Sequence, residues 1–197
     1  MRSKSILPVA ITHGLVFTSF FIYYMLNFNL EFLIYIIVIV GVTFLVYFSH
    51  KKLNYSMGVL WALVLWGLMH MAGGSVPVGD GVLYGWIIVP ISENYPILKF
   101  DQFVHAFGFG ACVFVMRDVL KPDLKKTSVT HRFGMGLVLV MGAMGFGALN
   151  EVIEFSATVI DPDNGVGGYV NNALDLVFNL IGALIAVGIL WIKEQGK

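Results

Sequence analysis

Along this chain, long apolar runs alternate with short polar breaks, and the runs have the length of a bilayer crossing. Six windows stand out, approximately Ile6 to Leu26, Leu30 to Phe48, Ser56 to Gly73, Phe100 to Leu120, Phe133 to Val159 and Ala173 to Ile192. Such lengths suit a hydrocarbon core about 30 Å thick. The apolar residues run continuously instead of alternating, which predicts helices: lipid satisfies no backbone polar group, and a helix bonds its own. The pattern therefore predicts an all-α fold, a polytopic membrane helix bundle with six transmembrane helices. No repeat and no linker divides residues 1–197, so a single integral membrane domain is expected.

Composition agrees: 58% hydrophobic residues, 12% charged and a mean hydropathy of +0.83 exceed what one soluble core can bury. Zero net charge gives no electrostatic case for nucleic acid. The placement of charge says more. With the N-terminus cytoplasmic, every Lys and Arg except Lys99 falls on that side, while Asp80, Glu93, Asp161 and Asp163 fall in the opposite loops. Positive charge collects on the inner face, so both termini are expected to be cytoplasmic and the number of spans even. The first window is longer than a signal-peptide core and has no small-x-small site after it, so it is expected to stay as a span. Between Gly74 and Lys99, the apolar piece Val82 to Ile91 is too short to cross and is expected at the outer interface, with Tyr84 and Trp86 at head-group level. The glycine-rich stretch from Asp161 to Asn172 reads as a second outer loop. Cys112 is the lone cysteine and reads as a small apolar residue.

Against this background a few polar residues are conspicuous. In FDQFVHAFGFGAC, Asp101, His105, Gly108 and Cys112 fall at i, i+4, i+7 and i+11, one face of a helix. The fifth window repeats the spacing with Gly147, Glu151, Glu154 and Thr158, and the sixth with Asp175, Asn179, Gly182 and Ala186. His70 lies in the third, between Gly67 and Gly74. The second window has no ionisable residue inside it and reads as facing lipid. Charged groups at membrane depth must look inward, and small neighbours let helix backbones approach. Given the topology, His70, Asp101, His105, Glu151, Glu154, Asp175 and Asn179 all fall within roughly two turns, on the order of 10 Å, of the outer interface.

Four carboxylates with no cation nearer than Lys99 repel one another, so some must carry protons or a cation must sit among them. Histidines with carboxylates form a ligand set for a divalent metal such as Zn, Mn or Fe, and a proton relay uses the same residues. The expected metal ligands are His70, Asp101, His105 and Asp175, with Glu151 and Glu154 as the catalytic pair and Asn179 in support. Asp101 as a helix cap, and Asp175 and Asn179 as hydrogen-bonded joints between helices, are the structural alternatives. His13, His50 and His131 read as structural or surface residues. No GxSxG or HExxH motif supplies another chemistry.

HMAGG at His70 to Gly74, Pro77-x-Gly79, FDQFVHAFGFG at Phe100 to Gly110, ALNEVIEF at Ala148 to Phe155 and NALDLVFNLIGA at Asn172 to Ala183 resemble the YjdF-type family of bacterial inner-membrane proteins, a domain of unknown function. The likeness covers about the last 130 residues and implies residence in the bacterial inner membrane. The order Asp-x-x-x-His, glutamate, Asp-x-x-x-Asn-x-x-Gly is also similar to VanZ-like membrane proteins, which show ExxQ where this chain has Glu151 and Glu154. The leading expectation is an outward-facing site that binds a divalent metal for hydrolysis or transfer on a lipid or envelope molecule. A proton- or cation-coupled carrier of small solutes is one alternative, and a non-catalytic VanZ-like binding or shielding protein is another.

Overall fold

In a computed structural model the described residues are 5–120, 129–160 and 167–195, without the side chains of 129–131, 194 and 195. His131 and the loop residues 161–166 therefore lie outside what is described. Six helices stand at the six predicted windows: α1 Leu7–Leu26, α2 Leu30–Leu53, α3 Met57–Gly73, α4 Phe100–Leu120, α5 Val129–Ile160 and α6 Tyr169–Gln195. Five are long and apolar enough to cross a membrane, and α3 is apolar but shorter, at 17 residues. Large apolar side chains such as Leu15, Ile37, Leu45, Leu137 and Ile185 stand exposed on their outer faces. That pattern suits helices whose solvent is lipid.

Local chemistry sets the helix ends. Asn29 caps α2 by accepting from the Phe32 N–H (3.0 Å), and Ser56 caps α3 by accepting from Val59 (3.3 Å). Asn54 takes the left-handed conformation, φ 54°, that closes α2. At the start of α4 the buried Gln102 amide reaches back: its Oε1 accepts from the N–H groups of Leu98 (2.6 Å) and Lys99 (3.1 Å), and its Nε2 donates to the Pro96 carbonyl (2.9 Å). Gln102 thus answers donors that precede the helix, and Asp101 is left for other partners.

Helix α4 is the centre of the bundle. It packs most extensively on α6 and also touches α3 and α5. The α4–α6 contact depends on missing side chains: a Cβ on Gly182 would fall on the backbone of Ala106, and one on Gly110 would lie 3.1 Å from the Gly182 carbonyl oxygen. Backbones this close carry whatever projects beside them into the same space.

The α3–α4 connection begins with a two-residue hairpin. β1 (Pro77–Val78) pairs antiparallel with β2 (Gly81–Val82), Pro77 opposite Val82 and Val78 opposite Gly81. Gly79, at φ 58°, supplies the left-handed residue that the tight turn requires. A 3-10 turn at Leu83–Gly85 follows and returns Tyr84 to the bundle. Trp86 stands half exposed, but Tyr84 turns inward to occupy the space beside Gly73. The head-group placement expected for Tyr84 is corrected accordingly. So is the lipid-facing reading of α2. Its outer third buries Phe32, Tyr35, Ile36 and Ile39 in an aromatic cluster with Phe17, Tyr24 and Met71, because stacked rings such as Tyr24 and Phe32 (4.8 Å) need an inner partner.

Candidate functional site

The polar faces of α4, α5 and α6 meet around one imidazole. His105, buried on α4, lies 3.7 Å from Asp101 Oδ1 and 3.9 Å from Glu154 Oε1 through Nε2, and 3.8 Å from Glu151 Oε1 through Nδ1. The Nδ1 also makes a 3.0 Å hydrogen bond with Asn179 Oδ1, and Asn179 is fully buried. With the amide oriented so that Oδ1 accepts, Nδ1 carries the proton and the Nε2 lone pair faces Asp101 and Glu154. Three acceptors then point at one place. An electron-rich gap of this kind calls for a proton or a cation.

Asparagines hold the carboxylates. Asn171 Nδ2 donates to Asp175 Oδ2 (2.5 Å) and, more weakly, to Asp101 Oδ2 (3.4 Å). Asn172 donates to Glu151 Oε2 (2.8 Å), and Asn150 to Glu154 Oε1 (2.7 Å). Lys99 lies 3.7 Å from Asp101 Oδ2 and donates to Asn171 Oδ1. Even so, Glu151 Oε1 and Asp175 Oδ1 are buried with no hydrogen-bond partner, as is Asn179 Nδ2. Buried acceptors are rarely left so, because each forfeits its hydration without return. Two groupings have ligand atoms within 4.8 Å of one another: Asp101, His105 and Asp175, and His105, Glu151 and Glu154. A tetrahedral ion with bonds of about 2.1 Å sets its ligands roughly 3.4 Å apart, so closure on an ion needs side-chain shifts of about an ångström.

Six of the seven expected site residues are thus brought together. His70 is not in either grouping. It sits on α3 among Trp66, Tyr35 and Phe32, and its Nδ1 is 2.5 Å from the Tyr84 hydroxyl. Burial pushes the Tyr84 phenol well above its usual range, so the hydroxyl is the donor. His70, Asp101, Glu154 and Asn171 all reach a cavity of about 770 Å³, whose far wall includes Glu31 and Tyr35 of α2 and whose roof is the 78–87 loop. Sequence reasoning missed the asparagines, Tyr84 and the α2 wall. Asn171 carried a signal, one turn before Asp175, but α6 starts about a turn earlier than its apolar run, at Tyr169.

A bundle of long apolar helices with an ionisable cluster at its centre defines a polytopic helical membrane protein. The chain belongs to the family described as predicted membrane protein (DUF2238), whose model matches residues 8–196, and the YjdF-type resemblance is consistent with that family. No curated protein and no solved structure gave a match.

Proposed function

We propose that the His105 cluster binds a divalent metal ion, Zn, Mn or Fe, and uses it for hydrolysis or group transfer on a lipid or envelope molecule. The observation that carries this reading is the acceptor surplus: an imidazole nitrogen and carboxylates from three helices converge, with two buried carboxylate oxygens unpartnered. A divalent cation answers all of them at once. Asp101, His105 and Asp175 would hold it, with the bond from Nδ1 to Asn179 orienting the imidazole as outer hydrogen bonds do at metal sites. Such an ion supplies Lewis acidity and an activated water. Glu154 shares a grouping with His105 and also borders the cavity, so it is the better placed of the two glutamates to move a proton to or from substrate. Glu151, tied to Asn172, shapes the site from behind. His70 borders the cavity with its Nδ1 engaged by Tyr84, which leaves Nε2–H to contact substrate.

In this reading the chain crosses the bacterial inner membrane six times, both ends are cytoplasmic and the cavity faces outward. At 1.5 Å per residue the 17 residues of α3 span about 26 Å, close to the hydrocarbon thickness. Elemental analysis of gently detergent-purified protein tests the metal: stoichiometric metal is expected in the wild type and is lost in His105→Ala and Glu151→Ala. A metal-free wild type would sink the reading, and a proton or cation flux in liposomes abolished by Glu151→Gln would put a carrier in its place. In a Cys112→Ala background, a membrane-impermeant thiol reagent applied from outside should label Glu93→Cys and spare Lys52→Cys. The reverse pattern would move the cavity to the cytoplasmic face.

A further inference from the structure

A second cavity, about 220 Å³, lies between α1, α2 and α3, deeper in the bundle than the acidic one. Val9, Val46 and Leu63 are typical of its wall. Its mid-depth polar groups are satisfied by each other: Thr43 donates its hydroxyl to the Ile39 carbonyl (2.7 Å) and accepts from His13 Nε2 (2.8 Å). Nothing there invites water or a polar ligand. Gly14 lies on the wall, and a Cβ built on it meets nothing within 4 Å. No neighbouring helix demands that glycine, and its effect is to widen the groove. The groove is also aligned with the acidic cavity. Tyr35 and His70 border the acidic cavity, and Ile39 and Gly67, one turn deeper on the same two helices, border the groove. The partition is a side chain: the ring of Phe17 fills the place of the missing Gly67 Cβ.

We infer that the groove seats the hydrocarbon tail of an amphiphilic lipid whose head group enters the His105 cavity. This rests on the reading of that cavity as a lipid-processing site and names the substrate class, an acyl-chain amphiphile. Both helices that line the groove stand in a bundle surrounded by hydrocarbon, so a tail enters from the side without crossing water. Lipid tails are as apolar as the groove wall, so the seat contributes position more than affinity. It holds the head group at one depth beside the carboxylates, as reacting groups must be held.

The test is photo-crosslinking of the full chain in nanodiscs with a single-chain phospholipid carrying a mid-chain diazirine, mapped by peptide mass spectrometry. Wild type should label Thr43, Val46 or Leu63 well above the exposed face of α5 at Leu137. Gly14→Leu, which fills the groove, should lower that labelling about tenfold, the scale of a steric overlap in a packed site. Gly145→Leu, on α5 with equally open space, should leave it unchanged. Val46→Trp closes the groove from α2 and repeats the test should Gly14→Leu not fold. Labelling no stronger than at Leu137, or undiminished by both groove variants, overturns the inference. Metal content measured on the same samples separates the two readings. Metal without groove labelling sinks the tail seat alone, and groove labelling without metal keeps the tail seat and sinks the metal.

Discussion

Gly182 offers the sharpest test of how this bundle builds its site. Replacing it by alanine adds one methyl where the backbone of Ala106 already stands, more than an ångström inside the ordinary 3.4 Å contact limit. A flexible side chain could swing aside, but a carbonyl in mid-helix cannot, so α4 and α6 must part. Overpacking of this kind costs roughly 1–3 kcal/mol, against about 1 kcal/mol gained from the better helix propensity of alanine. Gly145→Ala is the matched control: it brings the same propensity gain at a position where a Cβ meets nothing. The two variants should therefore differ by about 2 kcal/mol, which for a chain of this size is a gap of roughly 4–8 °C in melting temperature. Gly182 lies one turn from Asn179, and Ala106 adjoins His105, so parting the helices also stretches their 3.0 Å hydrogen bond. Thermal melts of the detergent-purified proteins are the assay, with metal content as the second readout. A Gly182→Ala protein that melts at or above Gly145→Ala would refute the close-approach argument.

Two further substitutions probe the supports of the cavity. Gln102→Leu removes the acceptor for two backbone N–H groups and strands the Pro96 carbonyl, so it should cost about 2–4 kcal/mol and release the start of α4; faster hydrogen exchange at Leu98 and Lys99 is the check, and unchanged protection would count against the capping role. Tyr84→Phe keeps the ring against Gly73 but deletes the donor to His70, at about 1–3 kcal/mol, and a melting temperature equal to wild type would show that the hydrogen bond contributes nothing.

The long windows and the inward polar faces were legible because both are local. A hydrophobic run declares a helix in lipid, and Asp101 with His105, or Glu151 with Glu154, share a face by spacing alone. The contribution of α2 was hidden for the opposite reason. Phe32 and Tyr35 look like ordinary membrane filler, and only their packing on Tyr24 and His70 places them at a cavity wall. Tyr84 was misplaced because an aromatic near a span end suits the interface equally well. A tight turn at Gly79 sends it inward instead. The asparagines were overlooked because an uncharged residue near a helix start carries no penalty that marks it.

Which polar residues would meet was decided by depth and rotation together. Spacing put His70, Asp101, His105, Glu151, Glu154, Asp175 and Asn179 at one level of the membrane, and six of them share a centre. His70, at the same level, instead closes against Tyr84 and Trp66. Hydrophobic length and helical period are properties of one segment, readable from residues in a row. The approach of α4 to α6 depends on where a Gly182 without a Cβ meets Ala106, a relation between residues far apart in the chain that exists only once the helices pack.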